Sequence, residues 1–141
     1  MDIFRKAIRI LMLACAVMHI CSCQSKPIKA LVVSGQNNHN WQVSHKVLKQ
    51  ILDNSGLFVT DIALTAPAGG DMTTFKPDFS QYDVVVLDYN GDRWPAETDS
   101  AFVKYVRKGG GVVIYHAADN AFAGWEEFNR IVWCAQISPE F

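Results

Sequence analysis

Four short apolar runs, separated by stretches of helical period, limit what this chain can fold into more than any other feature. They read "IKALVVSG", "LFVTDIAL", "YDVVVLDYNGD" and "VVIYH". The third is apolar throughout, which predicts a strand covered on both faces, and the set as a whole predicts the same. Between the first two runs, "VSHKVLKQILDNSG" places Val43, Val47, Leu48, Ile51 and Leu52 on one helical stripe, ended by Asn54 to Gly56. Pro95 opens a second helix with Phe102, Val103 and Val106 inside, and Gly109 to Gly111 stop it. A third helix spans Trp125 to Trp133, with Phe128, Ile131 and Val132 on one face and Trp133 in the core.

Strands alternating with helices, the strands apolar on both faces, imply a parallel sheet with helices packed on each side. The predicted class is α/β, a flavodoxin-like three-layer sandwich with a mostly parallel sheet. The segment "TAPAGGDMTTFKPDFSQ" carries three turn clusters and reads as a long surface connection. Its Phe75 and Phe79 are expected to fold back onto the core.

The chain has 141 residues, 50% of them hydrophobic and 19% charged, with a formal net charge of −1. That balance describes one ordinary domain and gives no electrostatic attraction toward nucleic acid. The first residues stand apart. Arg5, Lys6 and Arg9 precede an apolar run from Ile10 to Ile20, the layout of a secretory signal. Ile20-Cys21-Ser22-Cys23 resembles a bacterial lipobox. The expected organisation is a lipoprotein signal peptide over 1–22, a linker over 23–28 beginning at lipidated Cys23, and the domain over 29–141. That places the protein on the bacterial cell envelope, exported and held to the membrane by its lipid; plain secretion or an uncleaved anchor is the alternative. Only Cys134 would remain as a free thiol, so no intramolecular disulfide is expected.

In an open parallel sheet, ligands bind beyond the carboxyl ends of the strands. The first strand runs into Asn37, Asn38, His39 and Trp41, and the third into Asp88, Asn90, Asp92 and Trp94. The fourth runs into His116, Asp119 and Asn120, with Trp125 beyond. Carboxylates and amides hold hydroxyls in paired hydrogen bonds, and an indole covers the apolar face of a pyranose. A sugar-like ligand is therefore expected, bound by His39, Trp41, Asp88, Asn90, Trp94 and Trp125. His116 is the candidate acid/base, oriented by Asp119 or Asp92. The bland alternative is a histidine hydrogen-bonded into the turn it begins. His45, beside the apolar stripe of its helix, reads as packing or surface. His39, Asp88 and His116 are an alternative metal-ligand set, which spacing alone does not decide, and no cofactor is read from the sequence.

Familiar α/β chemistries are absent. "SGQNNHN" lacks the GxGxxG of dinucleotide folds and the hydroxyl-rich phosphate loop of flavodoxins. No G-x-S-x-G elbow, C-x-x-C pair or HExxH stretch occurs. A phosphoacceptor receiver would need an acidic pair after the first strand, and there is none.

"KALVVSGQNNHNW", "YDVVVLDYNGDRWP" and "KGGGVVIYHAADNAFAGWEEFN" resemble the ThuA-like, trehalose-utilisation domain family. The resemblance runs from about Lys29 to about Asn129, and the glycine-rich turn leading to a strand that ends in histidine carries most of it. It implies a class I glutamine-amidotransferase-like fold and a role in using trehalose-like disaccharides or keto-sugars. In amidotransferases of this fold the turn after this strand carries a cysteine nucleophile. Here His116 stands there, so thiolate glutaminase chemistry is not expected. Family members continue into a further half-domain, whereas this chain ends "RIVWCAQISPEF", which reads as a truncation. A non-catalytic carbohydrate-binding module and a non-functional fragment are the alternatives to a sugar-active enzyme.

Overall fold

The computed structural model describes residues 26–136; the signal segment, Cys23 and residues 137–141 lie outside them. The elements are β1 (Ile28–Ser34), α1 (Trp41–Asn54), β2 (Phe58–Leu64), β3 (Val84–Leu87), α2 (Ala96–Arg107), β4 (Gly111–Ile114) and α3 (Glu126–Gln136). Short 3-10 turns cover Phe79–Gln81 and His116–Asn120. No helix among the described residues is long and apolar enough to cross a membrane.

All strand pairs are parallel, in the order β2-β1-β3-β4. Val32 pairs with Ile62 on one side and Val86 on the other, and Val86 in turn with Val113. The chain leaves β1 for β2, then crosses back to lay β3 on the opposite flank. That reversal opens a crevice between the carboxyl ends of β1 and β3, where flavodoxin-like sheets take their ligands.

Side chains alternate across the sheet. Leu31, Val33, Val85 and Leu87 enter the main core with Phe75, Phe79, Phe102, Tyr105 and Phe128, so the two connection phenylalanines do fold back as expected. Ala30, Val32 and Val86 are buried on the other face, where α1 packs on β1 and β2. Lys49 and Asp53 clip α1 to β2: the lysine bonds Asp53 and the Thr60 carbonyl, and Asp53 accepts the Thr60 amide at 3.0 Å.

Three expectations from the pattern are corrected. Val43, Val47 and Ile51 of α1 are exposed, while His45 is buried with its Nδ1 against the Trp41 carbonyl oxygen. The five apolar residues spread over about half of the helix circumference, and the sheet covers only the edge carrying His45, Leu48 and Leu52. Trp133 is 61% exposed. Phe128 and Val132 take the inner face of α3, and the next residue is turned about 100° away from Val132. Val113 of β4 is exposed because β4 is an edge strand covered on one face only, unlike β3.

Candidate functional site

The crevice is built first by backbone fit. After Ser34 the chain turns at Gly35, φ +126°, where a Cβ would sit 2.4 Å from Thr65 Oγ1 and 2.6 Å from its nitrogen, so only glycine fits. Gln36 then ties three loops together. Its Nε2 donates to the Ala66 carbonyl at 2.8 Å, its Oε1 accepts the Asp92 amide at 2.8 Å, and its own carbonyl accepts the Asn90 amide at 2.9 Å. The sequence reading passed over Gln36. A glutamine directly after a strand-ending glycine was its only signal.

Asp88 sits at the bottom of the crevice, 2% exposed. It accepts from Ser44 Oγ at 2.5 Å, Ser34 Oγ at 3.1 Å and Asn37 Nδ2 at 3.4 Å. Three donors replace the water that a buried carboxylate loses. Neither serine was anticipated, because they lie inside elements that the pattern treats as scaffold. Asp88 makes no ion pair among the described residues.

Asn37 passes this order toward solvent, its Oδ1 accepting the His39 amide at 3.1 Å. The His39 carbonyl accepts the Trp41 amide at 2.8 Å as α1 begins. From the far side of β3 comes His116, whose φ of +50° is left-handed. The two imidazoles meet edge to face, ring centroids 4.4 Å apart and planes at 71°. Both are exposed. A groove of about 490 Å³ beyond the ends of β1 and β3 is lined by Gln36, Asn37, Asn38, Trp41, Asn90 and Asp92, and neither imidazole is part of that lining.

The structure thus brings His39, Trp41, Asp88, Asn90 and Asp92 to one edge, with His116 touching His39. Other candidates are placed elsewhere. Trp94 is 3% exposed, packed against Phe122 at 4.8 Å and Phe75 at 5.4 Å between ring centroids, so its faces are core and cover no sugar. Trp125 lies against Phe122 and Phe128, with the Arg93 guanidinium carbon 3.9 Å from the ring centroid, in a separate cavity. Asp119 accepts from its neighbour Asn120 at 2.7 Å, and Asp92 from the Gly69 amide at 2.6 Å. Neither carboxylate is hydrogen-bonded to His116 among the described residues. The 3-10 turn that starts at His116 keeps Asp119 local, and Asp92 is spent on the loop after β2. His39 is the ring partner that the sheet supplies to His116 instead.

Tyr89, directly after Asp88, is fully buried, donates to the Asp92 carbonyl at 2.6 Å and is raised by burial above the ordinary phenol range. It acts as a brace beneath the groove, not as an acid. No three His, Cys, Asp or Glu side chains among the described residues come together as a metal-ligand set. What remains is a polar groove with an indole in its lining, and an imidazole pair outside that lining whose His39 follows directly on Asn38. Such an edge can exchange hydrogen bonds with hydroxyl groups and carry a proton.

The sequence profile of the family described as ThuA, trehalose utilisation, matches residues 29–136. A crystal structure of a ThuA-like protein from Parabacteroides merdae superposes with a TM-score of 0.74 at 66% identity. The alignment covers 75% of this chain and 38% of that one, so this chain spans well under half of that protein's length. No curated protein matches.

Proposed function

Because the chain belongs to the ThuA, trehalose-utilisation family, we propose that its groove binds a trehalose-like disaccharide or keto-sugar and that His116 moves a proton on it. One observation supports this above the others: the contact of His39 with His116, 4.4 Å between ring centroids, with His39 following directly on Asn38 of a groove lined by amides and an indole. An imidazole can serve as general acid or base, and a second ring in edge-to-face contact limits the orientations it can take. Trp41 supplies the apolar wall for a pyranose face, and Asn38 and Asn90 supply hydroxyl partners.

We further propose that the chain is exported and anchored through lipid on Cys23. The basic start, the apolar run to Ile20 and the lipobox-like Ile20-Cys21-Ser22-Cys23 support that reading. Intact-mass measurement of the membrane-extracted protein tests it; cleavage elsewhere without acyl mass refutes it.

A binding module without turnover is the second reading. It is favoured by the placement of Asp119 and Asp92, neither of which bonds His116. The test is titration with trehalose and its 3-keto derivative, followed by the imidazole resonances of His39 and His116 and by product formation. Movement of both imidazoles with turnover, lost about a hundredfold or more in His116→Ala, supports the enzyme. Movement without product supports the module. Unmoved imidazoles refute both.

A further inference from the structure

Among the described residues that line the groove there is no lysine, arginine or histidine, and Asp92 is the one ionisable side chain. Asp92 is exposed, yet it is not free to swing into solvent. Its carboxylate accepts the Gly69 amide at 2.6 Å, its own amide donates to Gln36 Oε1 at 2.8 Å, and its carbonyl accepts the Tyr89 hydroxyl at 2.6 Å. Neutral donors fix the carboxylate in place without cancelling its charge. At the bottom of the crevice Asp88 adds a second carboxylate whose donors, Ser34, Ser44 and Asn37, are also uncharged. Neither aspartate takes part in an ion pair among the described residues.

The amino end of α1, with Trp41 and Gln42 in the lining, would by itself favour an anion. That end already faces a carboxylate of the chain's own, since Ser44 donates to Asp88 at 2.5 Å. The polar groups that remain for a ligand are carboxamides. Gln36 is spent on Ala66 and Asp92, and Asn37 on Asp88 and His39, which leaves Asn38, Gln42 and Asn90 beside the Trp41 indole. A carboxamide both donates and accepts, as a hydroxyl does. A phosphate or carboxylate only accepts, and it needs charged donors to offset the water it loses.

We propose that the groove takes uncharged sugar rings and turns away sugar phosphates and sugar acids, with Asp92 as the specificity-determining residue. The proposal rests on the reading of the groove as a sugar site and adds the charge class of its ligand.

Calorimetric titration of the full chain with trehalose, its 3-keto derivative and trehalose 6,6′-bisphosphate tests it; the bisphosphate puts an anion on whichever ring enters. At least one uncharged sugar should bind about tenfold or more tightly than the bisphosphate in dilute buffer, and added salt should narrow that gap by screening the repulsion. Asp92→Asn, close to the parent in shape and still able to accept the Gly69 amide, should strengthen bisphosphate binding about threefold or more. A damaged fold would not give such a gain, and the salt series, which needs no variant, serves if Asp92→Asn does not fold. Equal or tighter binding of the bisphosphate by the parent chain, or a preference that salt or Asp92→Asn fails to reduce, would overturn the proposal while leaving the sugar site in place. Binding of none of the three sugars would overturn it together with that reading.

Discussion

Gly91 approaches Gln36 so closely that a Cβ added at Gly91 would stand 2.3 Å from Gln36 Oε1 and 2.4 Å from its Cβ. The glutamine cannot swing away cheaply, because both ends of its amide are bonded, to Ala66 and to Asp92. Gly91→Ala is expected to cost about 1–3 kcal/mol, the usual penalty of overpacking. Adding Gln36→Ala should recover part of that loss, so the pair should be strongly non-additive in a denaturant double-mutant cycle. Additive losses would show that the two residues do not share one constraint.

Ser44→Ala removes the 2.5 Å hydrogen bond to buried Asp88 and should destabilise the chain by about 1–3 kcal/mol. An exposed helix serine would cost far less, so urea midpoints of Ser44→Ala and Ser100→Ala make the comparison. Ser100 is exposed and bonds only the Ala96 carbonyl.

The two tryptophans at the ends of β1 and β3 should separate cleanly. Trp94→Ala empties the aromatic core and is expected to cost about 3–5 kcal/mol. Trp41→Ala, half-exposed on the groove, should change the melting temperature little while abolishing sugar-induced fluorescence change.

His116 holds a left-handed backbone that costs an ordinary residue about 1–2 kcal/mol, whereas glycine adopts it freely at about 0.5–1 kcal/mol of added chain entropy. His116→Gly should therefore leave stability unchanged or raise it by up to about 1 kcal/mol, and yet remove the imidazole response to sugar. A large loss of stability would mean that the side chain is structural.

Two carboxylates should tilt stability with pH in opposite directions. Burial raises Asp99 above its ordinary value of 3.8, against the pull of Arg93. The folded chain holds that proton more tightly, so the contribution is complete below 3.8 and is lost as pH rises through the raised value. Asp99→Asn should gain on the parent chain as pH rises above 3.8. Hydrogen bonding from Arg107 holds Glu127 below its ordinary 4.5, so its contribution is present above 4.5 and is lost as pH falls through the lowered value. Glu127→Gln should lose to the parent at neutral pH and converge with it in acid.

The strand order was legible because four apolar runs with intervening helical periods admit few parallel arrangements, and short strands such as Val84–Leu87 announce themselves by β-branched residues. The meeting of His39 with His116 was legible in outline, since parallel strands deliver their carboxyl ends to one edge. The roles of Trp94 and Trp125 were not. A tryptophan after a strand has the same local sequence whether it faces solvent or core, and only the aromatic partners contributed by Phe75, Phe79 and Phe122 decide the matter. Ser34, Gln36 and Ser44 escaped for a similar reason. Their partners lie 30 to 56 residues away, beyond any local pattern.

The position of β4 at the margin of the sheet has a mechanical consequence for the residue that follows it. β3 is paired on both sides, so Asp88 is held between two strands, whereas β4 pairs only with β3 among the described residues. Among the described residues, His116 thus follows a strand paired on one side and His39 one paired on both, so the imidazole pair joins two supports that the sheet holds unequally.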